Sequence, residues 1–343
     1  MIRDRERLLA QLRELHFDIQ RSVVAAAETS SVEQMSRVMA EDRGGDTVFA
    51  IDRVSEARLT DYFERVIAPE RSLVLVAEGL ADSGAGPGVA VLPRGSSVDD
   101  AEIRVLMDPI DGTRGYMYQK RSAWILTCVA PNRGPGTSLA DAELAVQTEI
   151  PLVKQHLADS LWAIRGEGLS AERFNRLSGE RTALMLRPSQ ATTIAQGFAT
   201  LSRFFPGSGS DIAEIEAQVV REAVGPVQSG RAQCYEDQYI CSGGQLYELI
   251  AGHDRFVADL RPLFEPLRRA RGLATGLCCH PYDLATALLA EEAGVIVTDA
   301  RGHALDAPFA TDADVAWVGY ANTAIRAQIE PGLTRALGER GLL

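Results

Sequence analysis

Lysine is nearly absent from this chain: Lys120 and Lys154 are the only two in 343 residues, so almost every positive charge is an arginine. Positive charge is also outnumbered, with 35 basic side chains against 47 acidic ones and a net charge of -12. A surface of that sign repels polyanions and excludes a nucleic-acid polymer as the partner. Cysteine is scarce as well. Cys128, Cys234, Cys241, Cys278 and Cys279 are odd in number and show no C-x-x-C spacing, which argues for a reducing compartment, and a cytoplasmic protein is the expectation. No run of eighteen apolar residues occurs, and the opening stretch MIRDRERLLAQLRELHFDIQ is charged throughout, so neither a membrane span nor a secretion leader is expected.

What is present suffices for a folded protein. Hydrophobic residues make up 46% of the chain, enough for a sizeable core in one large domain or two. Leu8, Leu9, Leu12, Leu15, Ile19 and Val23 recur at helical spacing and predict an amphipathic helix over 4–28. A second helix is expected from an N-cap at Ser55 towards Pro69. Short apolar runs at 72–77, 102–107 and 123–130 read as buried strands, with further strands in AELAVQTEI and DSLWAIRGEG. The Gly-, Ser- and Pro-rich segment 81–100 reads as a surface loop. Beyond residue 186 helix and strand alternate: GGQLYELIAG is helical, HDRFVADL a strand, YDLATALLAEEAG a helix ending at Gly294, and VIVTDARG a strand. A boundary near 185 therefore divides an α+β domain, 1–185, from an α/β domain, 186–343.

The chemistry concentrates in DPIDGTRG, residues 108–115. Two carboxylates at the end of a buried strand are costly unless a cation neutralises them, and hard oxygen ligands suit Mg²⁺. Pro109 stiffens the turn so that Asp108, Asp111 and the Ile110 carbonyl can face one point. A helix starting at Gly112-Thr113 would add N–H groups for an anion beside the metal, and metal with anion means phosphate. A bare D-x-x-D is more often an Asx-turn with two solvated aspartates. Taken singly, Asp52 and Glu78 are more often capping or surface acids, and Asp283 an N-cap.

The string D-P-I-D-G-T resembles the signature of the inositol monophosphatase family, Mg²⁺-dependent and Li⁺-sensitive phosphatases sharing a sugar-phosphatase fold with fructose-1,6-bisphosphatase. Further segments are similar in the same order: GGDTVFAID (44–52) to the family's D-x-V-T-x-x-D stretch, LVLVAEG to its Glu-Glu strand, SLWAIRGEG to its A-x-x-G-x-G pair, and YDLATALLAEEAG to its W-D-x-A-A helix. The resemblance implies an α/β (α+β) fold of alternating αβαβα layers and a phosphomonoesterase acting on a small polyol or sugar phosphate. It implies that Glu78, Asp108 and the Ile110 carbonyl hold one Mg²⁺, that Asp108, Asp111 and Asp283 hold a second, and that Asp52 supports a third, weaker site. Thr113 with Glu78 would then orient and deprotonate the attacking water, and the N–H groups of Gly112 and Thr113 would bind phosphate oxygens. On the substrate side, CSGGQLYELIAGHDRF resembles the family's Gly-Ser helix and places Ser242 and Gln245 near substrate, with Asp259 beside the position, Ala258, of an inositol-reading glutamate. Members usually form homodimers.

Departures from the pattern are Phe49 for Thr or Ser, Gly79 for the second glutamate, and Tyr282 for Trp. Alternatives that stay open are a 3'(2'),5'-bisphosphate nucleotidase, against which neutral Gln245 counts, and a catalytically weak metal-binding member with an interaction role. His280 is read as packing, because imidazole is a poor Mg²⁺ ligand.

Overall fold

A computed structural model describes residues 1–41, 47–80 and 86–343; residues 44–46 of the 44–52 motif and 81–85 of the expected loop lie outside the described residues. Helix α1 (Arg5–Thr29) forms where the leucine spacing predicts it, and Leu8, Leu12, Leu15, Ile19 and Val23 are all fully buried on its inner face. A single turn, α2 (Val32–Met35), and an antiparallel pair, β1 (Val38–Glu41) and β2 (Thr47–Phe49), lead to α3 (Arg53–Tyr62). The start of α3 differs from expectation. Its N-cap is Asp52, and the Ser55 hydroxyl instead donates back to the Asp52 carbonyl at 2.7 Å.

An eight-stranded sheet carries the first half. Its chain order is β3 (Leu73–Ala77), β4 (Val89–Leu92), β5 (Ile103–Asp111), β6 (Ala123–Pro131), β7 (Leu144–Ile150), β8 (Leu157–Ile164), β9 (Leu169–Asn175) and β10 (Arg181–Ala183). In space the order is β10-β9-β8-β7-β6-β5-β3-β4, with β3 and β5 parallel and the other pairs antiparallel. Strand β4 lies within the segment expected to be a loop. It is an edge strand whose residues alternate between half-buried and buried, a pattern four residues long among glycines and serines.

The second sheet, in the order β11 (Phe198–Leu201), β12 (Asp254–Asp259), β14 (Trp317–Tyr320), β13 (Ile296–Thr298), is smaller. Helices fill the spaces: α1 and α3 on the outer face of the large sheet, α6 (Ser242–Ile250) and α8 (Ala287–Ala293) between the sheets, and α5 (Gly209–Val224) with α9 (Thr323–Gly338) on the far side. The result is the expected αβαβα stack. Three apolar clusters fill the layers: one under α1 and α3, one shared by the facing sides of the two sheets, and one under α5 and α9. No helix among the described residues is long and apolar enough to cross a membrane.

One polar cluster lies inside the first apolar layer. His16 of α1 is completely buried, with Nδ1 at 3.1 Å from Thr148 Oγ1 and Nε2 at 2.8 Å from Thr127 Oγ1. Burial, then the nearby Arg13, push its pKa down to about 3, so the ring is neutral in the fold.

Candidate metal centre

All nine residues of β5 are buried, and its C-terminal end carries the paired aspartates. In a regular strand, residues three apart face opposite sides. Here the register against β6 shifts: Asp108 pairs with Leu126 and Asp111 with Trp124, so three steps along β5 match two along β6. This bulge at Pro109–Ile110 re-aims the second carboxylate towards the first. The Ile110 N–H donates to Asp108 Oδ1 at 2.9 Å and locks the turn.

Other segments complete the cluster. Glu78 follows β3, the parallel neighbour of β5, and so emerges at the same strand end; it shares a hydrogen bond with Asp108. Asp283 comes from a 3₁₀ turn, Pro281–Leu284, and its Oδ2 accepts the His280 N–H at 2.6 Å. It therefore caps that turn and not α8, which starts at Ala287. One oxygen each from Asp108, Asp111 and Asp283 lie within 4.8 Å of one another. Burial, then the charges of Asp111 and Asp283, raise Asp108 well above the usual carboxylate range. Burial, then Asp283, do the same to Asp111, while an N–H from Gly243 pulls the other way.

Neither Asp108 nor Asp111 has an arginine or lysine partner among the described residues, although both are buried. A hard divalent cation fits this donor set: oxygen-only ligands, a shared focus, and two buried aspartates with no arginine or lysine beside them among the described residues.

Thr113 begins a short helix, α4 (Thr113–Met117), behind Gly112, whose φ of 92° belongs to the region glycine favours. A Cβ on Gly112 would also sit 3.0 Å from Cys241 Cβ and Sγ. The Thr113 hydroxyl lies 2.9 Å from Asp52 Oδ1 and 2.8 Å from the Ile110 carbonyl, so its proton is directed at acceptors. Its lone pairs are left for a donor such as water. Asp52 Oδ2 accepts the Phe49 N–H at 2.7 Å, which fixes the carboxylate that fixes Thr113.

These groups line one cleft of about 580 Å³, open mouth included, together with Gly112, Arg114, Cys241, Ser242 and His280. Ser242 reaches it from the first turn of α6, with its hydroxyl 3.6 Å from Cys279 Sγ. Gln245 and Asp259 do not line it. Gln245 is buried one turn deeper on α6 and donates to Ser202 Oγ at 3.0 Å. Asp259 ends β12 with no exposed surface, its oxygens taken by the Nε and backbone N–H of Arg261 at 2.9 and 3.1 Å.

Among the wall residues that the sequence did not point to are Arg261, Phe204 and Phe205. Arg261 opens helix α7 (Arg261–Ala270), with its guanidinium 4.5 Å from the centre of the Phe204 ring and 5.1 Å from that of Phe205. Arg114 sits 5.1 Å from the Phe205 ring centre, so two cations flank one aromatic residue. Burial opposes the Arg261 charge, but Asp259 outweighs it and holds the pKa above its ordinary value. No sequence period announces this wall, because Phe204, Phe205 and Arg261 meet only where the segment after β11 packs against the start of α7.

Among solved structures, the chain superposes on the holo form of Leishmania major fructose-1,6-bisphosphatase with a TM-score of 0.68 at 12% identity, over 97% of this chain and 94% of that one. It superposes on a Thermotoga maritima IMPase with a TM-score of 0.58 at 18% identity, over 95% and 99% of the two chains. The fold is that of the inositol monophosphatase family. The inositol monophosphatase fold also appears in the extragenic suppressor protein SuhB of Bartonella henselae, with a TM-score of 0.63 at 16% identity over 96% of this chain and 98% of that one. No protein-family model matches the sequence, and no curated protein matches it. The likeness to the inositol monophosphatase fold therefore rests on architecture, spans nearly the whole chain, and agrees with the motif order.

Proposed function

We propose that this chain is a Mg²⁺-dependent phosphomonoesterase acting on a small polyol or sugar phosphate. The observation that carries the reading is the convergence of Asp108, Asp111 and Asp283 on one focus inside a cleft that Glu78 and Thr113 also line. Glu78, Asp108, the Ile110 carbonyl, Asp111 and Asp283 would hold two ions, with Asp52 near a third. When bound, the ions would lower the pKa of a water and stabilise the leaving alkoxide.

The chain's own residues do the rest. Asp52 and the Ile110 carbonyl accept the Thr113 proton, so Thr113 Oγ1 accepts from the attacking water and points its oxygen at phosphorus. Glu78 takes the water's other proton. The N–H groups of Gly112 and Thr113 hold phosphate oxygens, and Ser242 meets the substrate side. Asp259 acts from behind the wall by setting Arg261.

A second reading, the 3'(2'),5'-bisphosphate nucleotidase, draws support from Arg114, a cation on the substrate wall beside Phe205 and suited to a second anionic group. A panel of sugar, inositol and nucleotide phosphates, assayed with Mg²⁺, with chelator and with Li⁺, tests both. Release from monophosphates that stops on chelation supports the first reading; preference for adenosine bisphosphate supports the second. Release that survives chelation overturns both.

A further inference from the structure

Helix α7 places Arg261 and Glu265 four residues apart, on one face. Arg261 borders the catalytic cleft and also a side chamber with room for a single water-sized group; Phe205 and Leu277 border both cavities too. Glu265 lines only the chamber. It is 5% exposed, its carboxylate accepts the Gly276 N–H through Oε1 at 3.1 Å, and Oε2 is buried with no partner among the described residues.

The chamber's cations are already matched. Arg203 pairs with Glu216 at 3.2 Å and with Glu236, and Arg261 is held by Asp259 and by the Leu277 carbonyl at 2.8 Å. A buried carboxylate oxygen left alone beside a substrate cleft is costly, and an ionised carboxylate can only accept hydrogen bonds. What completes it must therefore be a donor small enough for the chamber.

We propose, resting on the phosphatase reading above, that Glu265 is a specificity-determining residue: its Oε2 receives a hydrogen-bond donor, a hydroxyl or a protonated amine, from the end of the substrate distal to the transferred phosphate. The substrate class is a phosphate ester of a polyol or amino polyol, and esters with bare hydrocarbon there are discriminated against. A site built to accept from a substrate group rejects the analogue lacking it more strongly than an apolar pocket rejects a missing methylene.

The test compares equilibrium binding of matched probes to the full chain, with Ca²⁺ replacing Mg²⁺ to suppress turnover. For hydroxyl donors the pair is myo-inositol 1-phosphate and cyclohexyl phosphate; for amine donors it is glucosamine 6-phosphate and 2-deoxyglucose 6-phosphate. Expected is a preference of about tenfold or more for the donor-bearing member of at least one pair, lost in Glu265→Leu. In the near-isosteric Glu265→Gln the Gly276 N–H keeps the one amide oxygen and the amide NH₂ faces the chamber, so a hydroxyl preference survives because a hydroxyl also accepts, whereas the preference for a protonated amine, which only donates, falls. Equal binding of both pairs by the wild type, or a preference that Glu265→Leu and Glu265→Gln both leave intact, overturns the proposal and assigns Glu265 to packing against Gly276. The phosphatase reading fails separately: with Mg²⁺, no probe would release phosphate even though the binding preference held.

Discussion

The backbone N–H of Gly243 donates to Asp111 Oδ2 at 2.6 Å, tying the first turn of α6 directly to a carboxylate of the acidic cluster. Only glycine permits this approach. A Cβ at that position would meet Leu126 Cδ2 at 2.5 Å, Leu126 Cδ1 at 2.8 Å and Asp111 Oδ2 at 3.0 Å, inside the packed layer between the sheets. Gly243→Ala should therefore push α6 away from Asp111, costing about 1–3 kcal/mol of stability and roughly tenfold or more in Mg²⁺ affinity, as losses around a ligand usually do. Calorimetric titration with Mg²⁺ and a denaturant curve measure the two effects. An unchanged affinity would mean that α6 does not position the ligand.

Thr113 offers a sharper chemical test. With its hydroxyl 2.9 Å from Asp52 and 2.8 Å from the Ile110 carbonyl, it can orient water only while the hydroxyl is present. Thr113→Val keeps the shape and should lower kcat by on the order of 10²–10³-fold with little change in KM. Thr113→Ser should recover most of the loss. Asp52→Asn should show a smaller defect of the same type, and equal rates for Thr113→Val and the parent would remove Thr113 from the mechanism.

Metal binding should release protons. Burial and mutual repulsion hold Asp108 and Asp111 above the usual carboxylate range in the metal-free protein, so the native state keeps protons that the unfolded chain has lost. That stabilising contribution is present at low pH and fades as pH rises through the folded values, which is where a cation takes over. The rise in Tm on adding Mg²⁺ should accordingly grow as pH is raised. The apparent binding enthalpy should also vary with the ionisation enthalpy of the buffer, and a flat dependence would show that no proton leaves.

His16 works in the opposite sense. Its pKa is about 3 in the fold against an ordinary 6.5, so the unfolded chain takes up a proton first as pH falls. Its contribution to stability is complete above pH 6.5 and is lost progressively down to about pH 3, a loss on the order of 5 kcal/mol. Histidine ring resonances followed by NMR should show His16 silent between pH 7.5 and 5. A His16 midpoint near 6.5 would contradict the buried neutral ring.

The sequence was legible where a local pattern and the tertiary structure demand the same thing. Helix α1 follows from its leucines, and β5 and β6 follow from apolar runs that end at turn residues. Asp108, Asp111, Glu78 and Asp283 follow from motifs in which each carboxylate sits at the end of a strand or in a helical turn. The bulge at Pro109–Ile110 explains why those motif residues stand where they do. Legibility stopped where neighbours are distant in the chain. Strand β4 is an edge of four residues inside a Gly-rich stretch, and its partner β3 alone makes it a strand. Gln245 was assigned to the correct helix, but a rise of about 4.5 Å beyond Ser242 carries it under the cleft floor. Asp259 was assigned to the correct strand end, yet Arg261 two residues on takes its charge and faces the cleft in its place.

The most direct measurement is calorimetric titration of Mg²⁺ into the parent protein and Asp108→Asn, paired with phosphate release from myo-inositol 1-phosphate. The account predicts saturable Mg²⁺ binding in the parent, weakened at least about tenfold in the variant, with release abolished in step. Undiminished Mg²⁺ binding by Asp108→Asn, or release that continues in excess chelator, would contradict it.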